Sequence, residues 1–299
     1  MSNLSLVFIC LLLGLAFQRI KRFPQDAAVS LNAYVIYVAL PALVLDAIPK
    51  LVLDRRALML VVAAWLVMIF SALLVFSLSK WRRWSRSVTG ALMLVVTLGN
   101  TGFVGIPLIE AHLGSGAIPY AVLYDQFGTF LALNTFGIAV AGYYSEQEGP
   151  KTSLWKNILS FPAFIALLLA FVMRFVGYPH WLAEVLPRIA STLVPVVMVA
   201  VGLQWRLRLE RKHVGPVLLA IALILFIEPA FAWALVTLVG ANGLAAHVVV
   251  LEAAMPAMIS ASVLAVAHQL EPRLASAIVG YSLMLSLLTV WLWRLLIGA

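Results

Sequence analysis

The stretch GNTGFVGIP, residues 99–107, interrupts a long apolar segment near its middle. A second apolar segment is interrupted by AAMPAM, residues 253–258. Glycine weakens a helix and proline removes a backbone N–H from it, so each stretch predicts a break in a membrane-length helix. Lipid offers no partner to a freed peptide group, so such a break is tolerated only beside protein or a water-filled cavity. The two interruptions therefore predict a substrate site near the middle of the bilayer.

Composition places the chain among helical membrane proteins. Of its 299 residues, 64% are hydrophobic and 11% are charged, and the mean hydropathy is +1.06. A soluble domain of this length has no use for so much apolar surface. The net charge of +8 does not predict a nucleic-acid partner, because the basic residues lie in short loops and form no continuous patch.

Ten apolar runs, bounded by charged residues, Pro and Gly, predict an all-α polytopic membrane protein with ten transmembrane helices. The fourth and the ninth are the broken ones. The runs cover residues 3–18, 27–48, 57–79, 87–113, 117–143, 157–176, 182–203, 214–239, 245–269 and 273–297. With the N-terminus outside, 14 of the 20 Lys and Arg residues fall on the cytoplasmic side. Because cytoplasmic loops are enriched in these residues, both termini are predicted to lie outside the cytoplasm.

The two halves of the chain match when the sequence is shifted by 154 positions. Pro41 then falls on Pro195, and Asn100 falls on Ala254. This register predicts two five-helix repeats and a short cytoplasmic linker between them, at residues 1–148, 157–299 and 149–156. Five is an odd number, so the second repeat would enter the membrane from the opposite face and be inverted. Since prolines are common in membrane helices, a chance coincidence is the alternative.

A helix that stops within the membrane leaves unpaired N–H groups at one new end and unpaired C=O groups at the other. The N–H ends, near Gly102 and Met255, carry partial positive charge and suit a carboxylate. The carbonyl ends, near Thr97 and Ala253, suit a cation or a donor group of the substrate. The predicted substrate-binding residues are Pro41, Thr97, Asn100, Thr101, Gly102, Pro107, Met255, Pro256 and Ser260. The alternative is that these residues only satisfy the loose backbone of a kink.

Ionisable residues at membrane depth are costly and are therefore candidates for function. Glu228, halfway along the eighth run, and Asp125, in the fifth, are the predicted coupling or charge-compensating residues. For Glu228, a neutral carboxyl beside the Pro229 kink is the alternative. Glu110 and Glu252 fall nearer the ends of their runs, where interfacial solvation explains them. The five His residues are scattered without ligand spacing, so no metal site is predicted, and no cofactor is expected.

Four segments carry a resemblance to a known family. They are Leu40–Leu43 in the second run, Gly99–Leu108 at the first break, and Ala254–Ala257 with Ser262–Ala265 at the second. With them the chain resembles, over essentially its full length, the auxin efflux carriers, whose bacterial members are linked to dicarboxylates such as malonate or malate. The short loop at 145–156 is similar to that of the compact bacterial form, so we expect a bacterial inner (plasma) membrane protein.

The resemblance implies a fold related to the sodium/bile-acid symporters. In such a fold, helices 1, 2, 6 and 7 form a scaffold and helices 3–5 and 8–10 form a mobile core, often in a homodimer. It also implies elevator-type alternating access, with a carboxylate held where helices 4 and 9 cross. Asn100, Pro107 and Pro256 fall on matching motif positions, whereas Glu228 maps onto no family motif.

These observations predict a secondary transporter whose partners are a small organic anion and the lipid bilayer. A sodium-coupled symporter of the bile-acid type is the alternative within transport, and proton or sodium coupling stays open. A receptor or scaffold gains nothing from unpaired backbone in lipid. An intramembrane enzyme needs a carboxylate pair, a Ser/His pair or a His-rich metal cluster at one depth, and none is found, so no enzymatic activity is expected.

Overall fold

The computed structural model describes residues 2–24, 26–51, 54–145, 158–205 and 209–299, and this part of the chain is almost entirely helical. Its helices are α1 Ser2–Phe17, α2 Ala27–Lys50, α3 Arg55–Arg82, α4 Arg86–Val95, α5 Thr101–Leu113, α6 115–144, α7 Pro162–Val176, α8 His180–Gln204, α9 Arg211–Leu238, α10 Leu244–Ala253, α11 Ile259–Ala267 and α12 Pro272–Leu296. The predicted linker at 149–156 lies outside the described residues. So do four basic residues used to orient the chain, Lys151, Lys156, Arg206 and Arg208.

Helices α2, α3, α8, α9 and α12 are each long and apolar enough to cross a membrane. Most of α1 and the whole of α4, α5, α7 and α10 are shorter apolar helices. Large apolar side chains such as Phe175 and Leu238, each 85% exposed, lie on the helix surfaces, which is typical of a surface that contacts lipid. The protein is therefore a helical membrane protein with several spans, as its composition predicts. The count of ten spans, the inverted repeat and the orientation of the termini stay predictions.

The chain divides into two compact units. The first contains residues 1–53, 102–122 and 155–205, and the second contains residues 54–101, 123–154 and 206–299. Predicted spans one, two, six and seven fall in the first unit, together with the second half of span four and the first residues of span five. Each unit draws segments from both predicted five-helix repeats, whose boundaries stay a prediction.

In the first unit, α1 packs against the C-terminal part of α8 through two glycines. A Cβ added at Gly14 would lie 2.3 Å from the carbonyl oxygen of Val199, and one added at Gly202 would lie 2.4 Å from that of Leu11. Only residues without side chains allow this backbone approach. One turn further on, the Gln18 amide donates to the carbonyl oxygen of Gly202 at 2.7 Å, so the close contact ends in a hydrogen bond.

Helix α2 packs between α7 and α8 in the same unit. The Tyr178 hydroxyl donates to the carbonyl oxygen of Leu45 at 2.9 Å, and the guanidinium of Arg174 donates to the carbonyl oxygen of Leu51. Both acceptors lie in or just after the last turns of α2, where helical carbonyls have no intrahelical partner. Arg174 of α7 and Tyr178, just after α7, therefore donate to the carbonyl groups at the end of α2.

In the second unit, α4 packs on α3, α11, α12 and the end of α6, while α10 packs on α3, α9 and α12. The interior is filled with small and branched apolar residues, of which Leu92, Leu98, Ile224, Ala257 and Ile278 are fully buried. Five segments of the described chain are π-helical, at 35–39, 101–105, 124–130, 133–137 and 223–227. Such bulges redirect side chains and often mark functional sites in helical proteins.

One end of the second unit is held by polar groups outside the apolar helices. Glu271, in a left-handed conformation with φ +41°, donates its N–H to the Ser87 hydroxyl at 3.0 Å. Arg273 pairs with Glu210, and its guanidinium hydrogen bond lowers the pKa of that exposed carboxyl. These contacts join the starts of α4, α9 and α12.

We expect Gly202→Ala to lower the melting temperature of the purified protein in detergent. The added methyl group meets a backbone carbonyl, which cannot move aside as a flexible side chain would, and overpacking of this kind costs about 1–3 kcal/mol. Gly142→Ala in α6 is the matched control, because a Cβ there meets nothing within 4 Å and alanine favours a helix. Equal melting temperatures for the two variants would contradict the close α1–α8 packing.

Candidate functional site

Both apolar segments are broken, but the first break lies earlier than predicted. It covers residues 96–100, whereas residues 101–107 of the predicted stretch 99–107 are helical; the second break, 254–258, lies within the predicted stretch 253–258. Helix α4 ends at Val95 and α5 begins at Thr101. Helix α10 ends at Ala253 and α11 begins at Ile259. The residues between the helices on either side are non-helical and almost completely buried, so their peptide groups need partners inside the protein.

The two breaks supply those partners to each other. The Asn100 N–H donates to the Pro256 carbonyl oxygen at 2.7 Å, and the Met258 N–H donates to the Leu98 carbonyl oxygen at 2.9 Å. Between these bonds Gly99 lies opposite Ala257 in an antiparallel bridge. The sequence predicts unpaired peptide groups at both breaks, and this prediction is wrong for the four groups in these two bonds.

The pairing at the breaks defines a register. The two hydrogen bonds are related by a single shift along the chain, because the donor Asn100 corresponds to the donor Met258 and the acceptor Leu98 corresponds to the acceptor Pro256. This shift is 158 positions, which is also the separation of Gly99 and its partner Ala257. The predicted shift of 154 is four positions smaller, about one helical turn. Hydropathy sets the position of a break only to within a turn, and that is the size of the difference.

A third residue completes the crossing from outside the two breaks. The Ala257 N–H donates to the Ser282 hydroxyl of α12 at 3.1 Å, and that hydroxyl also contacts the Val279 carbonyl oxygen at 3.2 Å. Ser282 is fully buried. Ser282 lies within an apolar run, and nothing in the neighbouring sequence indicates that it bonds a distant break. Sequence reasoning therefore missed it.

A small cavity lies on the carbonyl side of the crossing. Its volume is about 20 Å³, enough for about one water molecule. The residues that end α4 and α10 line it, namely Thr97, Leu98, Gly99, Glu252 and Ala253. Residues of α3 and α6 and Glu228 line the rest of it. The cavity is therefore on the side that the sequence predicted to suit a cation or a donor group.

Asp125 is buried in the π-helical part of α6 and is held by two donors. The Thr101 hydroxyl donates to one carboxyl oxygen at 2.6 Å, and the neighbouring Gln126 amide donates to the other at 2.8 Å. Thr101 lies at the start of α5, directly after the first break. The structure thus brings two predicted residues, Thr101 and Asp125, into direct contact.

Glu228 is buried at the start of the last part of α9, after the π-helical turn 223–227. The Ser71 hydroxyl of α3 donates to its carboxyl at 2.6 Å. The adjacent Pro229 lacks the N–H that would bond the carbonyl oxygen of Leu225. The Trp293 indole donates to that oxygen instead, at 2.8 Å, so the proline kink is satisfied by a neighbouring helix.

Glu252 is the functional candidate that sequence reasoning misjudged. It is 1% exposed, it lines the cavity, and neither of its carboxyl oxygens has a hydrogen-bond partner. Interfacial solvation is therefore the wrong explanation for it. The available signal was its place directly before the second break, because a residue at the end of a broken half-helix lies at the depth of the break and not at the membrane surface.

The other predicted substrate residues occupy different surroundings. Thr97 lines the cavity and donates its hydroxyl to the Met93 carbonyl oxygen at 2.5 Å. Met255 and Pro256 are buried in the second break. Ser260 is exposed on α11 and does not line the cavity. The remaining three predicted residues belong to the first unit: Pro41, Gly102 and Pro107. No group of His, Cys, Asp and Glu side chains suited to a metal ion occurs in the described part of the chain.

A buried crossing of two broken helices in a multi-pass helical protein is typical of one class, the membrane transporters. Residues 1–294 match the family described as membrane transport protein, and the chain belongs to it. This confirms the resemblance to the auxin efflux carriers. The chain is similar to an uncharacterized transporter of Methanothermobacter thermautotrophicus, with 28% identity over 97% of this chain and 96% of the relative. An uncharacterized transporter of Methanocaldococcus jannaschii is 27% identical over 98% of this chain and 97% of its own length.

The kink beside Glu228 leads to a test by paired substitutions. Trp293→Phe removes the donor to the Leu225 carbonyl oxygen, and we expect a loss of about 1–3 kcal/mol of stability because a buried acceptor is left unpaired. Pro229→Ala restores a backbone N–H that can bond that oxygen within the helix. The double variant should therefore regain part of the stability lost by Trp293→Phe, as measured by thermal unfolding in detergent. Strictly additive losses would show that the indole does not compensate for the proline.

Proposed function

We propose that the protein is a secondary transporter of small organic anions, carboxylates of the malonate or malate type. The observation that carries this proposal is the buried crossing at 98–100 and 256–258, where two broken helices hold each other. Family membership supports transport as the activity. Substrate class, coupling and mechanism are our proposals.

The preference for an anion follows from the helix ends that begin at the breaks. Helix α11 begins at Ile259, and no side chain caps it. Its first-turn N–H groups have no intrahelical acceptors and carry partial positive charge. A carboxylate is the complementary ligand. We assign the substrate to this side of the crossing, with Asn100, Thr101, Met255 and Pro256 at its centre and Ser260 in the first turn of α11. Thr97 lies on the carbonyl side, and Pro41, Gly102 and Pro107 belong to the first unit and stay predictions.

We further propose the fold that the family resemblance implies. Ten spans would form two inverted repeats, with helices 1, 2, 6 and 7 as scaffold and helices 3–5 and 8–10 as the moving core of an elevator-type carrier. The cavity and its acidic residues all belong to the second unit, which supports assigning substrate transport to that unit. A homodimer in a bacterial inner membrane, with both termini outside the cytoplasm, completes the proposal.

Coupling to an ion is part of the same proposal. Glu228 and Asp125 are the predicted coupling or charge-compensating residues, and both are buried with hydroxyl donors bound to them. A proton or sodium would balance the charge of the anion. A sodium-coupled symporter of the bile-acid type is the alternative, and flux measurements under separate sodium and pH gradients distinguish the two. We propose no enzymatic activity.

Asn100→Ala tests the assigned site. The variant keeps the backbone N–H that bonds Pro256 and loses only the amide side chain, so we expect a folded protein that no longer transports. The measurement is uptake of radiolabelled mono- and dicarboxylates into proteoliposomes. A thermal-shift screen of the wild type against the same acids identifies the ligand first, because binding to the native state raises apparent stability.

Asn242→Ala provides the matched control. Asn242 lies exposed in the turn between α9 and α10, away from the crossing, so this variant should transport like the wild type. Undiminished uptake by Asn100→Ala, with a melting temperature equal to that of the control, would remove the assigned site.

A further inference from the structure

The cavity on the carbonyl side of the crossing is an acidic environment. Helices α4 and α10 both end at it, and the C-terminus of each helix carries roughly half a negative charge. Glu228 and Glu252 line the same cavity, although its volume of about 20 Å³ has room for only about one water. The two helix ends therefore place partial negative charge beside two acidic side chains, where there is almost no solvent to screen it.

Glu252 differs from the other two acidic residues in having no partner. Both of its carboxyl oxygens are buried without a hydrogen bond. An ionised carboxylate in such a place would lose its hydration and gain nothing in return, which costs several kcal/mol. A carboxyl that carries a proton avoids most of this cost.

The groups that surround Glu252 do not offset a negative charge. Tyr124 and Asp125 face it from α6, and Glu228 faces it from α9. Helix α3 contributes apolar side chains and the indole of Trp65 to the cavity. Helix α12 contributes the Ser282 hydroxyl to the crossing, where it is bonded to the second break. No Lys, Arg or His of the described chain lines the cavity.

The hydrogen bonds rank the three carboxyls. Asp125 receives two donors, one on each oxygen, and donors of this kind favour the ionised form. Glu228 receives one donor, from Ser71. Glu252 receives none. A single proton shared among these groups is therefore held best by Glu252.

We propose that Glu252 is a proton-binding site at the carbonyl ends of the two broken helices. Its carboxyl carries a proton while it is buried beside this small cavity, as in the structure, and releases that proton when water gains access to it. Each cycle then moves one proton together with the substrate anion, a step that rests on the proposed function. The carboxyl O–H bond breaks to leave the carboxylate, and the proton passes to a water molecule.

Proton binding can be tested without knowing the substrate. The purified full chain is reconstituted in lipid, and infrared difference spectra are recorded while the pH is raised in steps. We expect a carboxylic-acid C=O band in the wild type that decreases as pH rises and that is missing in Glu252→Gln. Glu110→Gln is the matched control, since it makes the same change in a half-buried residue of α5, and it should keep the band. A band that persists unchanged in Glu252→Gln would overturn the proposal.

Coupling is tested by flux of radiolabelled malonate into proteoliposomes. For one proton per substrate anion, a pH difference of one unit drives up to about tenfold accumulation in the wild type when the membrane potential is held at zero. Gln at position 252 imitates the protonated carboxyl permanently, so Glu252→Gln should lose pH-driven accumulation and retain malonate exchange at equal pH. Glu110→Gln should accumulate malonate like the wild type.

The remaining outcomes separate the two proposals. One outcome would replace the proton by sodium as the ion bound at Glu252. In that case the wild type shows no carboxylic-acid band, a sodium gradient drives accumulation, and Glu252→Gln loses that accumulation. pH-driven accumulation that survives in Glu252→Gln would also overturn the proton site. An absence of malonate flux in the wild type would overturn the proposed substrate class alone, and the infrared band would still confirm or overturn the proton site.

Discussion

The structure of the second unit depends on two reciprocal backbone hydrogen bonds. Asn100 bonds Pro256 and Met258 bonds Leu98, so each broken helix satisfies peptide groups of the other. In a membrane there is no water to do this, and an unpaired peptide group costs several kcal/mol. Breaking a single helix would therefore be unfavourable, whereas two breaks at the same depth form a stable pair. The crossing is possible only because both breaks exist. It also sets the position of the cavity and of the acidic residues that line it.

The need to pair every freed peptide group also explains how the acidic residues are positioned. Proline and π-helical turns release carbonyl groups from the helix ladders, and side chains from neighbouring helices bond them. The Trp293 indole bonds the oxygen freed by Pro229, and the Trp65 indole bonds the Phe127 carbonyl oxygen at 2.9 Å within the π-helical part of α6. Glu228 and Asp125 lie at or within such distorted turns, which turn them toward the interior. Irregular backbone and functional side chains therefore occur together because they need the same protected surroundings.

The sequence predicted those parts of the site that local chemistry determines. Gly and Pro mark both breaks, and a membrane-length apolar run makes Glu228 conspicuous. Family motifs indicated the class of protein, which the family match confirms. It did not predict partners that come from distant helices, such as Ser282 for the second break or Ser71 for Glu228, because nothing near a serine in an apolar run indicates what it bonds. Glu252 was misjudged for a related reason. Its depth depends on where α10 ends, and distance along the apolar run does not show this.

The crossing divides charge between its two sides. Helix starts, such as that of α11, present N–H groups and favour an anion, whereas the ends of α4 and α10 present carbonyl groups beside buried carboxyls. A ligand that is purely anionic would satisfy the first side and leave the second without its counterpart. An anion accompanied by a proton fits both sides and carries less net charge through the low-dielectric interior, where an isolated charge is most costly. In the transport cycle that we propose, the opposed dipoles of the broken helices favour moving two charges of opposite sign together.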